Sequence, residues 1–519
     1  MASEAPAPFG RVERREAGAL LAAVGVAATS GILYELLLGT TASFLLGDSV
    51  TEWSLTLGVF LASMGVGSWA SRFVRSRILG SLIAVEVIVA LVGGYSVLAL
   101  FGVFAGATHL ARLMLYACIL VVGGGVGLEV PLLTRALRRY GELRLVLSSV
   151  LAIDYGGALL ASVLYPFLLY PKLGLARTAL FASLFNLLGA ILILLAYRRE
   201  AGLPRRLVAA VGAAFALVVI GLGAATTLTS LIDERLYRPE ELVYAERSPY
   251  QALALTTHES GEASLYLNGH LQFFTGDEAR YHEPLVHVPL GLLEAPRRVL
   301  ILGGGDGLAL REVLRHEAVE AVTLVDLDPM VTDLARRHPL LLKANEGVLA
   351  DERVEIVNTD ALLFLREAGE RRFDAILVDL PDPSTPELAR LYSVQFYRQV
   401  AARLAPGGVA VTQAGSPYFA RKAYWCIEAG LRAAGLSTLP YRVNVPSFGE
   451  WGFVAASREA KLDPARIRLP REGRFLTTET LPTLFVFPPD LARLEVPPHT
   501  LMSPQLPALF EAGWRTHLF

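Results

Sequence analysis

Five aspartates stand at the ends of short apolar runs in the second half of the chain: Asp306, Asp326, Asp360, Asp379 and Asp382. The first lies within Gly303–Gly304–Gly305–Asp306–Gly307, a glycine-rich turn that follows the strand-like run RRVLIL. Glycines at such a turn let the backbone approach a ligand closely, and the helix that follows begins with free N–H groups. Asp326 ends the second run, 20 residues beyond Asp306, where an acid can hold both hydroxyls of a ribose. Asp360 ends the third, in Thr359–Asp360–Ala361, where a carboxylate can accept from an adenine amino group. Each acid alone could be a solvated strand end or a helix N-cap. The three in register indicate an adenosyl ligand.

Asp306 narrows that ligand. An S-adenosylmethionine methyltransferase leaves room at this turn for the carboxylate of its donor, and a second carboxylate would repel it. An acid here favours a decarboxylated adenosyl sulfonium, whose chain ends in an amine. The fourth run ends in Asp379–Leu380–Pro381–Asp382–Pro383. With Asp306 nearby, the two acids make a negative pocket suited to a polycationic amine. A sulfonium leaves without acid assistance. The protein must therefore hold the amine in line with the attacked carbon and remove a proton from its ammonium form. Asp379 is the candidate base.

These residues need a particular frame. From residue 297 the sequence alternates strands and helices, which predicts an α/β Rossmann-like (methyltransferase-type) domain over 291–457 built on a doubly wound parallel sheet. Before it, 250–273 alternates apolar and polar residues around Asn268–Gly269, a hairpin signal. A small antiparallel β-sheet and gate is expected over 233–290. A helix over 279–293 carries Tyr281, His282, Glu283 and His287; no fourth ligand position supports a metal there, and none is expected. The C-terminal extension, 458–519, has no catalytic motif, and its proline-rich pattern reads as packing.

The first half has a different composition. The chain of 519 residues is 53% hydrophobic and 18% charged, against about 25% charged for an average soluble chain. The excess apolar residues form seven runs near 17–44, 53–71, 78–104, 111–133, 147–170, 176–197 and 207–230, each close to the roughly 20 residues that cross a bilayer. Residues 1–232 are expected to be a multi-pass α-helical membrane bundle in the cell (inner) membrane. Fourteen arginines occupy one set of connecting segments (Arg11 to Arg15, Arg72 to Arg77, Arg135 to Arg144, Arg198 to Arg206), while the alternate segments hold Arg112, Lys172 and Arg177. The positive-inside rule places the first set in the cytoplasm. Seven spans then leave the acid-lined half outside, whereas a cytosolic sulfonium donor requires it inside; either a break near Gly39 adds a span, or the bundle delivers substrate across the membrane, and the side is left open. Glu35, Glu86 and Asp154 lie at membrane depth and must face the interior of the bundle. They form either helix–helix hydrogen bonds or a polar pathway, with Glu35 and Asp154 the best candidates for the latter. A net charge of −2 excludes a strongly basic nucleic-acid binder. Two cysteines, Cys118 and Cys426, exclude a disulfide scaffold.

Over about 243–457 the chain resembles the spermidine synthases, the polyamine aminopropyltransferases. The resemblance rests on Ser248–Pro249–Tyr250–Gln251, Asn268–Gly269–His270–Leu271–Gln272, Asp277–Glu278–Ala279–Arg280–Tyr281–His282–Glu283, GGGDG, VDLDP, TDA, DLPDP and Thr412–Gln413, in the family's order. It implies that Gln251, Gly303, Gly305, Asp306, Asp326 and Asp360 bind decarboxylated S-adenosylmethionine as co-substrate, with no tightly bound cofactor. It implies that Gln272, Tyr281, His282, Asp382 and Gln413 line the amine channel, and that Asp379 is the base. The chain departs from the family at Leu380–Pro381, where small hydroxyl residues are usual, and at Phe448, where a tyrosine helps hold the amine. The segment 391–400 and the tail resemble the bacterial subgroup with an N-terminal membrane domain. The implied reaction transfers an aminopropyl group to a di- or polyamine, such as putrescine, and the relatives suggest a homodimer. The alternatives are a methyltransferase on an amine or lipid, disfavoured by Asp306, and a polyamine transporter or sensor with a synthase-like binding domain.

Overall fold

The computed structural model describes residues 11–46, 49–197, 205–458 and 462–517. The chain divides into two compact units, Met1–Arg238 and Pro239–Phe519.

The first unit is all helical: α1 (Arg11–Leu46), α2 (Ser49–Ala70), α3 (Ile78–Leu137), α4 (Leu143–Leu164), α5 (Tyr170–Tyr197) and α6 (Arg205–Leu236). Two of these bend sharply, α3 at Ala107 (φ −154°, ψ 69°) and α5 at Gly174 (φ +70°, ψ −177°). At Ala107 the chain doubles back, so that a Cβ on Gly125 would lie 2.3 Å from Val89 Cγ2. Five helical stretches among the described residues are apolar and long enough to cross a bilayer, α4 and α5 forming one of them over Leu143–Leu195; divided at Ala107 and Gly174, they make seven segments. The break considered near Gly39 is not there: α1 runs through it unbroken, and Gly39 lies against the ring of Trp53, 2.5 Å from its Cβ position. Small residues bring the helices close. A Cβ on Gly67 would sit 2.1 Å from the carbonyl oxygen of Gly124, and one on Gly157 would sit 2.6 Å from that of Gly25.

Inside this bundle Glu86 is fully buried and accepts a hydrogen bond from Asn186 Nδ2 at 2.8 Å. Glu129, not singled out from the sequence, is also buried. Glu35 and Asp154 are only half-buried. Of the arginine-rich connections, Arg198 and Arg199 lie outside the described residues. Arg135 donates to the carbonyls of Ser71 and Val74, at 3.0 and 2.7 Å, joining two of those connections. Arg112, from the alternate set, is neutralised by Glu52 at 2.7 Å.

The second unit begins with a four-stranded antiparallel sheet, β1 (Glu241–Arg247), β2 (Ala252–Thr257), β3 (Ala263–Leu267) and β4 (His270–Phe274), in that order. Asn268 and Gly269 make its β3–β4 turn with φ of 51° and 80°, the positive pair that a two-residue hairpin needs. Helix α7 (Ala279–Gly291) follows. A seven-stranded sheet then forms from β5 (Arg298–Gly303), β6 (Ala321–Asp326), β7 (Val354–Asn358), β8 (Phe373–Asp379), β9 (Leu404–Gln413), β10 (Ser437–Val445) and β11 (Gly449–Ser457), in the order β10-β11-β9-β8-β5-β6-β7. The first five are parallel. The β10–β11 hairpin joins antiparallel, so the sheet is mixed at that edge. Successive side chains on a strand face opposite ways. Ile301, Leu324 and Leu377 therefore enter one buried core, and Leu300, Leu302, Ile376 and Val378 the other.

Candidate active site

The carboxyl ends of the parallel strands gather the acids. Gly303, the last residue of β5, is paired in register with Asp379, the last of β8. Its φ is +85°, and a Cβ there would lie 1.9 Å from the Asp379 carbonyl oxygen. Only glycine fits this position, for both reasons. A Cβ on Gly305 would lie 2.5 Å from Asp326 Oδ2. The same carboxylate accepts from the N–H groups of Gly305 (3.0 Å) and Asp328 (2.9 Å). Asp306 accepts from the Leu308 N–H at 2.8 Å, opening helix α8 (Leu308–Val313).

Gln251, Asp328 and Asp360 are held as firmly. Gln251 Nε2 donates to Asp328 Oδ2 at 3.0 Å, and the Ser248 hydroxyl donates to the same oxygen at 2.6 Å. Asp328 was not singled out from the sequence, although it stands in the VDLDP motif two residues past Asp326. Asp360 caps the helix that follows it, accepting from the Leu363 N–H at 3.0 Å, and its other oxygen pairs with Arg390. The sequence signals neither Arg390 nor the doubly engaged state of Asp360.

At the other end of the glycine turn, the Tyr281 hydroxyl from α7 donates to Asp379 Oδ1 at 2.7 Å. Tyr281 is buried among Phe448, Trp451 and Phe453, with ring centroids 6.1, 6.4 and 5.1 Å away. Gln413 Nε2 donates to the Leu380 carbonyl at 2.7 Å and reaches Asp382 Oδ1 at 3.4 Å. It also meets the Tyr392 hydroxyl, which is anchored on the carbonyls of Leu380 and Pro381. Gln272 instead donates to the His270 carbonyl at 3.0 Å, on its own strand. Phe448 packs on Trp451 at 5.1 Å.

Removal from bulk water raises the Asp379 pKa to about 6; Asp306 adds to the rise, while His282 and the Tyr281 hydroxyl oppose it. Burial likewise lifts Asp382 to about 7 and Asp326 to about 6. A carboxylate near 6 is ionised at neutral pH yet basic enough to take a proton. Burial alone would lower the His282 pKa. It is raised, because Nδ1 meets the Glu278 carboxylate at 2.9 Å and Asp306 and Asp379 lie nearby. Burial would raise Glu278, but His282, Arg311 and Arg474 hold it down at about 2. Arg311 reaches both Glu278 oxygens at 3.0 Å.

The other acid and histidine of α7 have structural partners. Glu283 accepts from the N–H groups of Arg474, Phe475 and Leu476 at 2.8, 3.0 and 2.7 Å. His287 bridges His316 and Glu312 at 2.9 and 3.1 Å. Among the described residues no group of three His, Cys, Asp or Glu side chains is placed to hold a metal.

The glycine turn, Asp326, Asp379 and Asp382 thus gather at the carboxyl ends of the parallel strands, where buried acids suit cationic ligands. Residues 278–465 match the spermine/spermidine synthase domain. Polyamine aminopropyltransferase 2 of Ralstonia nicotianae is 44% identical over 503 residues, covering 95% of this chain and 98% of its own length. The polyamine aminopropyltransferase of Leptospira interrogans is 39% identical over 500 residues, covering 96% and 98%. A crystal structure of spermidine synthase with the transition state analogue AdoDATO aligns with 48% of this chain and 86% of its own, at 28% identity and a TM-score of 0.44.

Proposed function

Because the chain belongs to the polyamine aminopropyltransferase family, we propose a division of labour among its acids. Gln251, the Gly303–Gly305 turn, Asp326 and Asp360 hold the nucleoside of decarboxylated S-adenosylmethionine, and Asp306 takes the ammonium of its propyl chain. Asp382, Gln413, Tyr281 and His282 seat the acceptor. Asp379 accepts a proton from the attacking ammonium. The freed nitrogen attacks the carbon attached to sulfur, the C–N bond forms as the C–S bond breaks, and the electron pair of that bond leaves with sulfur as neutral methylthioadenosine. The acceptor is a di- or polyamine such as putrescine. Phe448 makes its binding site more apolar than a tyrosine would.

The observation that carries this reading is Asp379 itself. It is register-paired with Gly303 at the donor turn, hydrogen-bonded to Tyr281 at the amine end, and raised to about 6. The test is product analysis with the detergent-purified full chain, the labelled donor and a panel of amines. Asp379→Asn should lower kcat by about 10²–10⁴-fold while donor binding by equilibrium dialysis is retained. Normal turnover by that variant would refute the assignment.

The first unit is read as a multi-pass membrane anchor. Phe167, Leu113, Leu159 and Ile220 project outward and are 65–80% exposed, a surface that suits lipid rather than water. The seven helical segments and the arginine asymmetry support it. Residence in the alkaline-carbonate-resistant membrane fraction is the expected result; recovery in the supernatant would refute the anchor.

A further inference from the structure

The helix Leu506–His517 approaches Asp382 by two routes. The first is direct. A Cβ built on Gly415 would lie 3.6 Å from Asp382 Oδ1 and 3.6 Å from Phe510 Cε2, so carboxylate and ring converge on one point. Gln413 ties the same spot together, since its Oε1 accepts from the Gly415 N–H at 2.9 Å while its Nε2 reaches Asp382. The second route is through packing. Trp514, one turn after Phe510, stacks on Phe419 with ring centroids 4.7 Å apart and planes 21° apart. Phe419 in turn fills the space beside Gly449, 2.8 Å from its Cβ position, in the turn that carries Phe448.

The helix is fixed in place. Leu506 is fully buried, and a Cβ on Gly513 would lie 2.6 Å from the Phe419 carbonyl oxygen. Phe510 is therefore carried on a packed helix. It is half-buried.

We propose that Phe510 is the end wall of the acceptor channel and sets the length of the amine that the enzyme aminopropylates. The inference rests on the reading of Asp379 and Asp382 as the amine end of the site. An amine seated against those acids extends toward the ring. A diamine stops short of it, with its distal cation free to sit at an aromatic face, whereas an acceptor longer by an aminopropyl unit meets the ring. This is selection by exclusion. Each methylene accommodated or refused by an apolar wall changes kcat/KM by roughly 10–200-fold.

The test compares kcat/KM for putrescine and spermidine as acceptors, using the full chain in detergent, in wild type and in Phe510→Ala. The spermidine-to-putrescine ratio should rise by about tenfold or more, with the KM for the donor unchanged. Phe510→Leu, which keeps the packing volume more nearly intact, should move the ratio the same way by less, and it serves if the alanine variant does not fold. A wild type active on putrescine whose ratio is unmoved in both variants overturns the inference alone, as does an equal loss for both acceptors. A wild type that aminopropylates neither amine overturns the underlying reading and this one with it.

Discussion

The Tyr281 hydroxyl donates to Asp379 Oδ1 across 2.7 Å, and that bond favours the ionised carboxylate against the burial that raises its pKa to about 6. Tyr281→Phe removes the only one of these two effects that a mutation can delete cleanly. The Asp379 pKa should rise further, and less of the base should be ionised at pH 7. The acid limb of the pH profile of kcat/KM should move to higher pH, with the alkaline plateau reduced less. An acid limb that stays in place would show that Asp379 is not the group titrating there.

Asp382 gives a stability prediction with a defined sign. Its pKa is about 7 in the folded protein against 3.8 for an unperturbed aspartate. The folded state therefore binds the proton more tightly, and the stabilisation from protonation is lost as pH rises through 7. At pH 8, without amine, the buried charge opposes folding. Asp382→Asn should then be more stable than wild type by on the order of 2 kcal/mol, with a higher Tm, and the gain should shrink as pH falls through 7 and vanish only near the unfolded value of 3.8. A gain that is constant with pH would point to packing instead of charge.

Gly303 tolerates no side chain. Its positive φ and the 1.9 Å approach of the Asp379 carbonyl to its Cβ position mean that Gly303→Ala must push β5 and β8 apart where the proposed base and donor turn meet. Loss of donor binding by calorimetry, or loss of the folded domain, is expected. Unchanged donor affinity would contradict the close approach.

Glu278 is buried and accepts from His282, Arg311 and Arg474. Glu278→Gln leaves the fully buried Arg311 short of one counter-charge, a change that costs roughly 3–5 kcal/mol where a buried pair is broken. Arg474 is 55% exposed, so Arg474→Ala should cost about 1 kcal/mol or less. Equal Tm losses for the two variants would argue against a buried charge at the centre of this network.

The strand ends and their acids were legible in the sequence because β5, β6 and β8 are apolar runs buried on both faces, each ending at a glycine or an acid. The glycine turn, Asp326, Asp379 and Asp382 could be read in that way. The helical half was legible from length and apolarity alone. What the sequence could not supply were partners brought in from a distance: Arg390 on Asp360, Tyr392 behind Gln413, and Arg474 and Phe510 from the tail. They sit in segments whose local pattern is that of ordinary helix or loop, so only tertiary packing gives them a role. The strands β1 and β10 also escaped notice, since β1 is largely exposed and β10 is an edge strand interrupted by Pro440. Among the acids of the apolar helices, burial rather than position in an apolar run distinguishes Glu86 and Glu129 from Glu35 and Asp154.

The grip of Glu283 on the backbone N–H groups of residues 474–476 bears on how the molecule is made. Helix α7 emerges from the ribosome nearly two hundred residues before its partners do. Until they arrive, Glu283 is a carboxylate whose burial nothing compensates, so the domain cannot settle into its final packing. Phe510 is translated later still. In the order of synthesis, the residues that hold Glu283 and the helix that carries Phe510 therefore come after the strands they pack on, and the packing of this unit is completed late.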